Sequence, residues 1–269
     1  MTSRALVLAR GLGRRMQASD GAPLSGEQRA AAAAGLKPLM PVAGRPFLDY
    51  VLSSLADAGS SRAALIVAPQ HEAVRMRYAV DCVPERITVD FVVQAEPEGT
   101  ASAVLAAEDW TSGEPFLVVN ADNLYPSDVL RQLALQRESA CPVFSRDELV
   151  RSSNIPPDRV QEFALVHVDE EGYVSRIFEK PSVESLEAAG PSAGVSMNCW
   201  RFESEIFTFC RAVPRSPRGE FELPEAVDLA VRRGFKMKAI RGHGPVLDLS
   251  RRGDVEGVER RLAGMSVRP

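Results

Sequence analysis

The sequence predicts an α/β protein built on a doubly wound, mostly parallel sheet, with a smaller β-rich part in its second half. Three observations predict it. From residue 4 to residue 137 short apolar runs alternate with amphipathic stretches, one pair roughly every 25 residues, the rhythm of βαβ units. Each apolar run ends in a turn rich in Gly, Asp or Asn, as a strand does when it delivers a loop to a sheet edge. Beyond residue 160 the runs come closely paired, at hairpin spacing.

Taken in order, residues 4–9 read as a buried strand, followed at once by the turn Gly11-Leu12-Gly13-Arg14-Arg15-Met16. Residues 17–35 are small and polar. The alanines at 30–34 suit a short helix, but a mobile loop is expected. Residues 47–58 have apolar positions at helical spacing and stop at Gly59. Residues 63–68 and 87–93 read as strands, with a helix near 72–79. A helix is expected over 100–108, a strand over 115–119, and a helix over 127–137 with Ser127 as N-cap. Residues 161–168 and 173–178 flank Asp169-Glu170-Glu171-Gly172 as a hairpin, and 194–202 reads as one strand. An amphipathic helix over 221–233 ends at Gly234. A strand at 237–240 and a helix at 254–262 close the chain.

Composition narrows the function classes. The chain has 269 residues, enough for one large domain, and 45% are hydrophobic. A net charge of −4 with scattered arginines argues against a nucleic-acid surface. The four cysteines show no CxxC spacing and read as free thiols. No apolar run approaches the ~18 residues of a membrane span, and a strand pattern begins almost at the first residue, so a cytoplasmic enzyme without a signal peptide is expected. No Gly-x-Ser-x-Gly elbow occurs, and His71, His167 and His243 have no nucleophile beside them.

The chemistry-bearing residues gather at strand ends. In Leu8-Ala9-Arg10-Gly11-Leu12-Gly13-Arg14-Arg15-Met16 the glycines let backbone N–H groups approach an anion, and the arginines add forked donors for phosphate. A P-loop ending is missing, Met16 replaces the third glycine of a dinucleotide turn, and a tight turn with solvated arginines is the structural alternative. Lys37 precedes Pro38 and Pro41, which hold the chain extended and keep Lys37 out of a helix interior. Gln94 carries a donor and an acceptor suited to the edge of uracil or thymine, Gly99 lets a flat ring lie on bare backbone, and Thr100 opens a helix. Asp122 ends an apolar strand, where a carboxylate is a fixed oxygen ligand of the kind Mg²⁺ takes alongside phosphate oxygens and water. Asp248 is a second candidate. Asp254 competes with it but reads better as a charge at a helix N-terminus.

In this order and over about residues 4–260, these segments resemble the sugar-nucleotide pyrophosphorylases, the sugar-1-phosphate nucleotidyltransferases. The first turn is similar to the family's Leu-Ala-(Ala/Gly)-Gly-x-Gly-Thr-Arg-Met/Leu. Leu8, Ala9, Gly11 and Gly13 then fall on nucleotide-binding positions and Arg15 on the catalytic arginine, while Arg10 and Arg14 depart from the pattern. Lys37-Pro38-Leu39-Met40-Pro41 resembles the segment carrying the family's phosphate-binding lysine. Gln94, Gly99 and Thr100 fall on the base-holding segment, Asp122 on the catalytic metal aspartate, and Asp248 on a second metal position. Glu179-Lys180-Pro181, Gly194, Asn198 and Glu222 resemble the elements lining the sugar phosphate, and Ala164 stands where many members carry Gly.

The resemblance implies a Rossmann-like sheet of the GT-A-like type in one domain, 1–269: a nucleotide half at 1–140, a sugar-phosphate half at 141–250 and a closing helical segment at 251–269. It implies transfer of a nucleoside monophosphate from UTP or dTTP to a sugar 1-phosphate with Mg²⁺, and neither nucleic acid nor membrane as partner. Homo-oligomer formation is left open. Two alternatives stand: guanylyl transfer to a mannose- or heptose-type phosphate, and a regulatory domain that binds nucleotide without turnover.

Overall fold

A computed structural model describes residues 2–11, 13–18, 22–179 and 193–269. Its strands are β1 (Arg4–Leu8), β2 (Pro41–Val42), β3 (Arg45–Pro46), β4 (Arg62–Val67), β5 (Thr88–Val93), β6 (Phe116–Asn120) and β7 (Asn123–Leu124). There follow β8 (Ala140–Val143), β9 (Ala164–Val168), β10 (Val174–Phe178), β11 (Gly194–Ser196), β12 (Trp200–Phe202), β13 (Lys238–Arg241) and β14 (Leu247–Asp248).

The central sheet runs β13-β8-β12-β6-β1-β4-β5, and β9 sits between β10 and β11 in a small antiparallel sheet. The strands β5, β4, β1 and β6 are mutually parallel. The chain builds outward from β1 through β4 to β5, then returns to the other side of β1 with β6. Neighbouring connections therefore leave β1 in opposite directions, which opens a crevice beyond the carboxyl ends of the strands. Leu8 pairs with Ile66 on one side and Asn120 on the other, so these strand ends are level along one edge.

Side chains of β1 alternate between two cores, as a period of two requires. Ala5 and Val7 pack with Phe47, Leu48 and Leu52 of the helix Phe47–Asp57. Leu6 packs on the other face with Val118, Trp200 and Phe202. Both faces are thus covered, which is why these strands read as continuous apolar runs.

The structure corrects several sequence expectations. Within 17–35 a helix spans Gly26–Ala33 instead of a loop. Its start is a capping box: Gln28 N–H donates to Ser25 Oγ at 3.2 Å and Ser25 N–H to Gln28 Oε1 at 2.9 Å. Lys37 opens a 3₁₀ turn, Lys37–Leu39, because Pro38 is tolerated in a first helical turn. Pro126, not Ser127, stands at the N-cap of the helix Ser127–Ala134. The expected helix over 100–108 is two, Thr100–Leu105 and Glu108–Thr111. The expected strand over 194–202 breaks between β11 and β12, where Asn198 takes a left-handed φ of 56°. That break lets β12 enter the central sheet antiparallel to both β6 and β8.

Candidate active site

The crevice at the edge of β1, β5 and β6 holds a cavity of about 300 Å³ whose wall includes Leu8, Gly11, Gly13, Gln94, Gly99, Thr100 and Asp122. A smaller one of about 60 Å³, bordered by Leu8, Ala9, Gly13, Lys37 and Asp122, adjoins it. The nucleotide-side and catalytic candidates therefore meet around one crevice, except Arg15, whose side chain turns elsewhere.

The first turn is pinned from two sides. Ala9 N–H donates to Ile66 O at 3.0 Å, and Ala121 N–H to Leu8 O at 3.2 Å. Gly13 has φ of 61°, a left-handed value that favours glycine, and it starts the short helix Arg14–Gln17. From the C-terminal segment Arg252 donates to Met16 O and Gln17 O, both at 2.8 Å. Arg14 borders the cavity. Arg15 is half exposed and pairs with Glu162 at 3.2 Å, and the same carboxylate pairs with Arg251. An anion competing for Arg15 must displace Glu162, an exchange that an exposed pair worth about 0–1 kcal/mol allows.

Lys37 packs beside Gly13 and its Nζ donates to Asp122 Oδ2, an ion pair mostly sheltered from water. Asp122 presents its carboxylate to both cavities. Asn120 Nδ2 donates to Asn123 Oδ1 at 3.2 Å just below.

The loop after β5 is braced against residues 219–223. Phe221 N–H donates to Glu98 O at 2.7 Å, Ala101 N–H to Phe221 O at 2.8 Å, and Leu223 N–H to Thr100 Oγ1 at 2.8 Å. Gln94 is buried and its Nε2 donates to Gly99 O at 3.0 Å. Gly99 has φ of 108°, and a Cβ there would lie 2.5 Å from Phe221 O.

Asp248 lies next to Asp122 along the backbone: β14 pairs with β7, and Leu249 N–H donates to Asp122 O at 2.9 Å. Its carboxylate, however, is turned inward, with the residue 2% exposed. Arg159 Nη2 donates to Oδ1 at 2.7 Å, while Asn123 Nδ2 at 3.1 Å and Ser250 Oγ at 3.0 Å donate to Oδ2. Ligation of a cation by Asp248 requires exchange of Arg159. Arg159 also pairs with Asp254. Burial lowers the Arg159 pKa, but the two carboxylates outweigh it and hold the guanidinium above its usual value. Burial, then Asp248, push the Asp254 carboxyl up. Asn154 fastens β14: its Nδ2 donates to Asp248 O at 2.7 Å, and Asp248 N–H donates to its Oδ1 at 2.8 Å.

The sugar-side candidates are less unified. Glu179 and Glu222 both approach Arg218, at 3.8 Å for Glu179 and in a close ion pair for Glu222. Glu220, two residues before Glu222, borders the main cavity. Gly194 is required by packing, since a Cβ there would fall 2.0 Å from Val143 Cγ1. Asn198 forms the bend between β11 and β12, and its carbonyl accepts from the Tyr125 hydroxyl at 3.3 Å. Lys180 lies outside the described residues. Sequence reasoning missed Arg218, Arg159 and Glu162. Arg218 had a signal, an Arg-Ser-Pro-Arg-Gly turn ahead of an acidic segment; the other two declare themselves only through distant partners.

Among the described residues no group of three or more His, Cys, Asp or Glu is placed to hold a metal. A cation that completes its shell with phosphate oxygens and water needs only one or two carboxylates, and Asp122 meets that requirement. No helix among the described residues is long and apolar enough to cross a membrane.

A mostly parallel sheet with a glycine-rich turn, a cavity and a carboxylate at its switch point is the arrangement of an α/β protein whose ligand site lies beyond the strand ends. Comparison narrows the class. The chain belongs to the nucleotidyl transferase family, whose model matches residues 5–245. It is 27% identical over 259 residues to the UTP–glucose-1-phosphate uridylyltransferase AglF of Haloferax volcanii, covering 96% of each chain. It is 25% identical over 219 residues to the bifunctional protein GlmU of Methanococcus vannielii, matching 81% of this chain but only 48% of that one. Among solved structures, a UDP-glucose pyrophosphorylase complexed with UDP-glucose superposes with a TM-score of 0.77 at 18% identity, covering 99% of this chain and all of the other. That likeness shows the same fold.

Proposed function

We infer that this protein transfers a nucleoside monophosphate from a nucleoside triphosphate, UTP or dTTP by preference, to a sugar 1-phosphate and releases pyrophosphate. The observation that carries the reading is the convergence at one strand-end crevice of the anion turn, Lys37, Asp122 and the Gln94–Gly99 loop. Family membership and the near full-length match to a uridylyltransferase support it.

The sugar phosphate oxygen attacks the α-phosphorus in line and pyrophosphate leaves. A phosphate monoester is already nucleophilic, so the protein's task is positioning and charge neutralisation. Backbone N–H groups of Gly11 and Gly13 and the Lys37 ammonium hold the triphosphate. Arg15, once exchanged from Glu162, steadies the leaving pyrophosphate. Gln94 and Gly99 take the base. Glu179, Lys180, Asn198 and Glu222 serve the sugar phosphate, and Arg218 orients the two glutamates. Asp122 would hold a divalent cation, magnesium in this reading, which would supply positive charge to the phosphates. With its charge met by a cation, Asp122 would release the Lys37 ammonium, which like-charge repulsion would leave free to pair with phosphate. Asp248 would serve as a second ligand only if Arg159 gave it up.

Asp122→Asn tests the reading. The variant keeps shape and lacks the charge, so circular dichroism and thermal melting should stay unchanged while pyrophosphate release falls roughly 10³-fold or more. A rate within a few-fold of the parent would remove Asp122 from the reaction.

A further inference from the structure

Arg10 stands where this chain departs from the small residue usual in the first turn, and the structure gives it surroundings that a turn residue does not need. Its side chain is 7% exposed and forms part of the wall of the main cavity. Nε donates to Gln94 O at 3.1 Å and Nη2 to Ala95 O at 2.9 Å. Those carbonyls open the loop whose far end is held by the bond from Gln94 Nε2 to Gly99 O. The guanidinium thus spans from β1 to the end of β5 and locks one rim of the cavity.

Its third nitrogen is unused. Nη1 is buried and has no hydrogen-bond partner among the described residues. A buried donor on a cation is costly to leave unmade, and it marks a place where an acceptor belongs. No carboxylate is paired with this guanidinium among the described residues; its protein partners are neutral carbonyls. The nearby His71 is buried and stays neutral, because burial, and then Arg10 and Arg75, lower its pKa. An unpaired guanidinium can take an anion as well as a carbonyl, and it is the place of Nη1 beside Gln94 and Gly99, the segment read as holding the base, that favours a carbonyl oxygen on a flat ring.

We propose that Arg10 is a specificity-determining residue for the nucleobase: it fixes the Gln94–Ala95 rim and donates its Nη1 proton to a ring carbonyl oxygen, selecting carbonyl-bearing bases against adenine. Uracil, thymine, cytosine and guanine each offer such an oxygen, whereas adenine has none. A site built to give a hydrogen bond rejects the analogue that cannot accept it. The inference rests on the reading of this crevice as the nucleotide site.

The test compares the parent with Arg10→Ala and Arg10→Gln, using equilibrium binding of UDP, GDP and ADP and kcat/KM for UTP, GTP and ATP with Mg²⁺ and glucose 1-phosphate. Thermal melting reports folding, and Arg10→Gln keeps much of the volume but is too short to place a donor where Nη1 lies, which serves if the alanine variant does not fold. The parent should favour uridine and guanosine nucleotides over adenosine nucleotides. In both variants that preference should shrink by roughly 10- to 100-fold, through weaker UDP and GDP binding with ADP binding unchanged. An equal loss for all three nucleotides would mean that Arg10 holds phosphate or only the loop, and would overturn the proposal. An unchanged preference in a folded variant would overturn it as well. Failure of the parent to bind any nucleotide strikes instead at the reading of the crevice, and binding separates that outcome from the other two.

Discussion

At Gly99 the backbone leaves no room for a side chain. Its φ of 108° is costly for any other residue, and a Cβ would press on the Phe221 backbone. Gly99→Ala should therefore destabilise the fold by about 2 kcal/mol or more in urea denaturation and weaken nucleotide binding more than sugar-phosphate binding. A fully stable variant with parental affinity would show that the loop has slack. The residues readable in advance at this scale were those whose chemistry is local. Asp122 ends an apolar strand, Lys37 precedes two prolines, and Gln94 and Gly99 sit between a strand and a helix. What was not readable is the environment of Asp248. Its partner Arg159 is 89 residues away in sequence, and no spacing rule links them.

The 3₁₀ turn Pro157–Glu162 joins the ends of the chain. Arg159 holds Asp248 and Asp254, and Glu162 holds Arg15 and Arg251. Removing the charge from a buried network strands its partners. Arg159→Met should cost about 3–5 kcal/mol, and adding Asp254→Asn should restore part of that loss. A loss below about 1 kcal/mol would mean that the two aspartates are solvated by other groups. A second element contact depends on pH. His243 Nε2 lies 2.7 Å from Asp128 Oδ2 and ties the segment after β13 to the first turn of the helix Ser127–Ala134. The hydrogen bond to Asp128 raises the His243 pKa against a small burial effect, with Glu148 adding to it. The folded state thus binds this proton more tightly than the unfolded chain. Its stabilisation is complete below the ordinary imidazole value of about 6.5 and is lost as pH rises through the raised value. In an NMR titration Asp128→Asn should bring His243 back toward the ordinary value; an unmoved midpoint would contradict the pairing. Among the elements, the helix Gly26–Ala33 was legible in the spacing of Ser25 and Gln28, but its low apolar content made the segment look like a loop.

At the scale of the molecule, the alternating half of the chain was readable because each parallel strand is buried on both faces and stands out as an apolar run. The sheet order was not, since β12 and β13 join it through pairings across about 60 to 100 residues, and three-residue strands such as β12 carry almost no periodic signal. Yet that order creates the switch point at β1, and with it the crevice. The measurement that tests the central claim most directly is pyrophosphate release from the purified protein with Mg²⁺, UTP and glucose 1-phosphate, each omitted in turn, followed by a panel of other triphosphates and sugar 1-phosphates. Release that requires both a nucleoside triphosphate and a sugar 1-phosphate, and yields the nucleotide sugar in equal amount, is the predicted result. No release with any pair, or release that continues undiminished without the sugar phosphate, would contradict it.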